Sequence, residues 1–132
     1  MTIITRLFLA CALLVFLPTI ATAQMEELKS STPEERATLQ TQWMKTALSL
    51  DAKAGTAVAD INLKYARENQ SLMDSNSPKL GKLITFHRNS EAKDAQLKTI
   101  LTPQQYTLYE QKKSEMEEKM KQKLVEKHQA TQ

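Results

Sequence analysis

From residue 32 onward, apolar residues recur at three- and four-residue spacing, broken only by short clusters of turn-forming residues. That period belongs to helices with one buried face. Leu39, Trp43, Met44, Ala47 and Leu48 mark a short first helix, which Ser49-Leu50-Asp51 interrupts. Ala54, Val58, Ile61, Tyr65 and Leu72 mark a second, flanked by Asp60, Lys64, Arg67 and Glu68. The cluster Asp74-Ser75-Asn76-Ser77-Pro78 stacks turn formers and predicts a hairpin turn. Beyond it Leu80, Leu83, Ile84, His87, Leu97, Ile100 and Leu101 trace the face of a third helix, with a kink expected at Asn89-Ser90. Tyr106, Tyr109, Met116, Met120 and Leu124 carry the stripe through a fourth. There, Glu115 with Lys119 and Glu117 with Lys121 are spaced for ion pairs. Residues 24–31 lack periodicity and read as a mobile leader, and residues 129–132 as a frayed end.

Cap chemistry agrees with these boundaries. Thr32-Pro33-Glu34-Glu35 and Thr102-Pro103-Gln104-Gln105 each place a threonine at an N-cap and a proline at the first helical position. In each, the residue three after the threonine can reach back to the cap N–H. Asp51 is the candidate cap of the second helix. Helix-forming Ala, Leu, Lys, Glu, Gln and Met dominate the rest, and Gly55 and Gly81 both fall inside helical patterns. No glycine is left for tight turns between strands, so the chain reads as all-α.

The N-terminus carries an export pattern. Arg6 supplies a positive start, residues 7–17 are apolar, and Ala21-Thr22-Ala23 provides small residues at cleavage spacing. Residues 1–23 therefore read as a signal peptide and residues 24–132 as a single exported domain. Cys11, the one cysteine, lies in the signal and lacks a lipoprotein acceptor box around it. A mature chain without cysteine is stabilised by packing rather than disulfides. Helices of 20–25 residues are about 30–40 Å long, so this short chain makes a thin hairpin with one apolar edge uncovered, which a second copy or another chain would bury.

The inventory of chemistry is sparse. No Gly-x-Ser-x-Gly elbow, phosphate-cradling glycine loop or His-Glu-x-x-His pair is present, so no catalytic residue is assigned and the chain does not read as an enzyme. The two histidines, His87 and His128, fall on different helices, so neither a metal site nor a cofactor is expected. A net charge of +3 and an export signal argue against nucleic-acid binding.

The segment Leu101-Thr102-x-x-Gln105, between a long amphipathic helix and a charged one in an exported chain, resembles the LTxxQ signature of the Spy/CpxP family of periplasmic helical proteins. A first, degenerate copy of that signature keeps only Leu50 and the cap former Asp51, with Ala54 at the glutamine position. The resemblance implies a long antiparallel helical hairpin with a short N-terminal helix and a C-terminal helix, assembled as an intertwined antiparallel homodimer. It further implies a periplasmic, ATP-independent chaperone-like protein that binds unfolded or misfolded envelope proteins under stress. The alternatives are a non-enzymatic adaptor that restrains an envelope-stress sensor or, less favoured, a metal-responsive relative. A client-binding surface would combine cations with adaptable apolar groups. Candidates are Lys64, Arg67, Lys82 and Arg88 for charge and Trp43, Met44, Met73 and Phe86 for contact.

Overall fold

The computed structural model describes residues 30–130, excluding the His128 side chain. The expected signal peptide, Cys11 and the leader as far as residue 29 lie outside the described residues. Four helices follow Thr32: α1 (Pro33–Ala47), α2 (Ala52–Asp74), α3 (Lys79–Ile100) and α4 (Pro103–Ala130). No strand occurs among the described residues. The all-α fold expected from the sequence is the fold observed.

Local chemistry explains the starts of α1, α2 and α4 and the end of α1. Glu35 N–H donates to Thr32 Oγ1 at 3.1 Å while Thr32 N–H donates to Glu35 Oε2 at 3.1 Å, a closed capping box at the start of α1. The same reciprocal pair joins Thr102 and Gln105 at 3.1 and 3.2 Å at the start of α4. Asp51 Oδ1 accepts from Ala54 N–H at 2.7 Å and caps α2. Helix α1 ends in a two-bond reversal, with Ser49 N–H donating to Thr46 O and Leu50 N–H to Lys45 O. Ser49 takes the left-handed conformation this requires, at φ 51°. Asn89-Ser90 does not interrupt α3, which runs as one helix.

Met44, Leu48, Val58, Leu97, Leu101, Tyr109 and Met116 form the core, drawn from all four helices and the turns after α1 and α3. Polar contacts fix how the helices meet. Arg36 of α1 donates to Gln70 Oε1 of α2 at 2.8 Å, and Asn62 Nδ2 donates to Thr41 Oγ1 at 3.0 Å. Asn89 donates to Asn69 at 2.9 Å and Gln96 to the Tyr65 hydroxyl at 2.9 Å, joining α3 to α2. Ser31, placed by the sequence at the end of a mobile leader, is instead buried, and both its carbonyl and its hydroxyl accept from Arg36.

The apolar face expected on α3 is buried only toward its C-terminal end, at Leu97 and Leu101. Leu80, Leu83 and Ile84 are 69%, 66% and 59% exposed, Ile100 is 39% exposed, and the His87 side chain is open to solvent beside Glu91. At about 100° per residue, Leu80, Ile84 and His87 lie roughly 80–140° around the helix from Leu97, whereas Leu83 lies only about 40° from it and is exposed all the same. Phe86, Ser90 and Lys93 lie within about 40° of Leu97 and turn inward instead. On α4 the Glu115–Lys119 pair forms at 2.7 Å, but Lys121 meets Glu118 at 3.0 Å rather than Glu117.

Candidate functional site

The signature residues build a structural latch. Leu101 is buried in the core, Thr102 caps α4, and Gln105 uses both ends of its amide. Its Oε1 accepts from the Thr102 N–H at 3.1 Å, and its Nε2 donates to Leu48 O, the carbonyl that closes α1, at 3.2 Å. The turn after α3 is thereby tied to the turn after α1. Leu50 packs against the same core and Asp51 caps α2, so the degenerate first copy retains the leucine and cap roles. Ala54, at its glutamine position, has no amide to reach across.

The eight client-binding candidates do not gather on one surface. Met44 is wholly buried and belongs to the core, so it offers no contact to a partner. Its thioether instead accepts from Asn62 Nδ2 at 3.6 Å. Trp43 is half-buried and lines a groove between α1 and α4 of about 630 Å³, with Leu39 and Met120 and with Lys119 and Lys123 at its rim. Lys64 is exposed, its ammonium 5.0 Å from the centre of the Tyr65 ring. Arg67 pairs with Glu34 at 2.9 Å across α1 and α2. A hydrogen bond from its own backbone, with that contact to Arg67, holds the Glu34 carboxyl below its ordinary range. Lys82 donates to Met73 O at 2.8 Å and so caps the last turn of α2. Arg88 is exposed, and Met73 and Phe86 are half-buried.

Met73 and Phe86 open onto a cleft where all four helices meet, with a volume of about 320 Å³. Arg36 and Gln40 reach it from α1, Tyr65 from α2, Lys93 and Asp94 from α3, and Tyr109 and Lys113 from α4. Asp94 accepts from the Tyr109 hydroxyl at 2.8 Å and from Lys113 Nζ at 2.6 Å, and Ser90 Oγ accepts from Lys113 at 3.2 Å. Burial and the Asp94 carboxylate push the Tyr109 phenol above its usual range. Lys93 Nζ donates to Gln40 Oε1 at 2.6 Å, and burial pushes its pKa down to about 7. No apolar periodicity marks this cluster, whose members on α3 are the polar Ser90, Lys93 and Asp94. The available signal was the phase of Leu97, which places Lys93 and Ser90 on the inner face.

No group of three or more His, Cys, Asp or Glu side chains converges for a metal among the described residues, and no described helix is long and apolar enough to cross a membrane. Comparison with protein-family models, curated proteins and solved structures found no match.

Proposed function

We propose that this chain is a periplasmic, ATP-independent chaperone-like protein that binds non-native envelope proteins during stress and works as a homodimer of antiparallel helical hairpins. The observation that carries the reading is the aliphatic stripe of Leu80, Leu83 and Ile84, each more than half exposed on one stretch of α3. Three large aliphatic side chains left in water at i, i+3 and i+4 make a surface for another chain. Lys79 and Arg88 are exposed on the same helix and add positive charge. Unfolded chains display apolar segments interspersed with acidic groups, which such a surface holds weakly and without sequence preference. The export pattern at the N-terminus and the LTxxQ-like latch agree with the periplasmic setting.

The hairpin reading is supported by cross-helix pairs whose numbers run in opposite directions. Arg36 meets Gln70 and Thr41 meets Asn62; Asn69 meets Asn89 and Tyr65 meets Gln96.

Aggregation of two unrelated unfolding proteins, followed by light scattering without nucleotide, tests the proposal. The wild-type chain delays both. The combined variant Leu80→Gln, Leu83→Gln, Ile84→Gln loses that delay while keeping its helicity, because exposed substitutions move stability by about 0.5 kcal/mol or less each. Failure of the wild-type chain at stoichiometric excess rules out general chaperone action. Binding of a single envelope sensor in its place would favour the adaptor.

A further inference from the structure

The cleft between the four helices holds an ammonium group to which, among the described residues, no anion is bonded. Lys93 extends from α3 toward α1, and its hydrogen-bond partner is the neutral amide oxygen of Gln40 at 2.6 Å. The neighbouring carboxylate, Asp94, is committed elsewhere, accepting from both Tyr109 and Lys113. Arg36 on α1, Lys113 and Tyr109 on α4, and the Glu117 carboxylate complete the titratable groups facing the cleft; α2 contributes Tyr65. Asp94 and Glu117 favour the charged form of Lys93 and Lys113 opposes it, but loss of water dominates. Taking an ammonium group out of water is costly unless an anion meets it or it gives up its proton.

The space beside Lys93 has the size and walls of a small-molecule site. A volume of about 320 Å³ falls at the lower end of ligand pockets, and Met73, Phe86 and Tyr65 give it apolar and aromatic walls. A cation that, among the described residues, has only a neutral amide as partner matches a single negative charge better than the double charge of a phosphate. We propose that this cleft binds a small organic carboxylate on an aromatic or apolar body, with Lys93 Nζ as its charge partner and Met73 and Phe86 against its body. The site is independent of the α3 stripe and of client binding.

Titration of the full chain with 4-hydroxybenzoate, followed by the methyl resonances of Met73 and Met120, tests the site. Binding saturates and shifts both methyls. Because the ligand selects protonated Lys93, half-protonated near pH 7 in the free protein, apparent affinity is about tenfold higher at pH 6 than at pH 8. Lys93→Gln keeps its helicity by circular dichroism and weakens binding at least tenfold, whereas Lys64→Gln, outside the cleft, leaves it unchanged. The uncharged isostere 4-hydroxybenzamide does not bind. Equal responses to the carboxylate and the amide, equal responses to inorganic phosphate, absence of saturable shifts, or unchanged affinity in Lys93→Gln would each overturn the proposal.

Discussion

Ser49 shows how one residue can carry a cost for the sake of a turn. The reversal after α1 needs a left-handed residue between Leu48 and Leu50, and Ser49 supplies it at φ 51°. A side chain in that region costs about 1–2 kcal/mol, which glycine avoids. Glycine loses part of that advantage through its freer unfolded chain. Ser49→Gly is therefore expected to raise stability by about 0.5–1 kcal/mol, read as a higher urea midpoint with unchanged slope. Gly81 offers the opposite exchange. A β-carbon built there meets nothing within 4 Å, and the backbone is helical, so Gly81→Ala gains helix propensity without a clash. The gain is about 0.5 kcal/mol, below the interior value because the position lies in the first turn. Gly55 differs: its missing β-carbon would lie 2.6 Å from the Lys45 stem, so the lysine must swing aside before alanine fits.

At the scale of the helices, the turns were legible in the sequence and one packing face was not. Thr32, Asp51 and Thr102 are caps because short side-chain oxygens bond to nearby N–H groups, and such local chemistry can be read without knowing the fold. The far end of Gln105 could not be read that way. Its bond to Leu48 O depends on the two turns lying at the same end of the molecule, a tertiary fact. Gln105→Glu separates the two roles. A carboxylate still accepts from the Thr102 N–H but cannot donate to Leu48 O, and it faces a carbonyl oxygen instead. The expected loss is about 1–3 kcal/mol in chemical denaturation, with Thr102→Ala costing about 0.5–2 kcal/mol through the cap alone. Equal midpoints for Gln105→Glu and wild type would remove the latch. Helix α3 differs for a related reason: Leu80, Leu83 and Ile84 form a helical stripe, but only Leu83, itself exposed, lies on the side that packs, which is set by Leu97. Leu80 and Ile84 lie far around the helix from it, so an apolar period identified the element without identifying its buried side. The cleft was illegible in turn because its lining, polar and apolar alike, comes from four separated segments.

For the whole molecule, the buried ionisable groups set the pH range of greatest stability. Lys93 has a folded pKa of about 7, below the value near 10.4 expected in an unfolded chain. Between those values the unfolded state binds more protons, so stability rises with pH across about 7 to 10. Tyr109 acts in the other direction. Its folded pKa is raised by burial and by Asp94, so above about pH 10 the unfolded phenol loses a proton that the folded one keeps, and stability falls. At the acid end, Glu35 is held below its ordinary range by bonds to Lys127 and to the Thr32 backbone. Its contribution is present above the ordinary carboxylate pKa and is lost as pH falls through the lowered one. Stability should therefore peak near pH 9–10, read from thermal midpoints by circular dichroism across pH 3 to 11 in buffers free of carboxylates. Lys93→Met removes an ammonium group that folding takes out of water. That variant should be more stable than wild type by roughly 2–4 kcal/mol at pH 6, converge with it near pH 10, and lose the rise between them. Parallel midpoint curves for the two proteins across that range would mean that Lys93 keeps its charge in water and that the cleft is open to solvent at its ammonium.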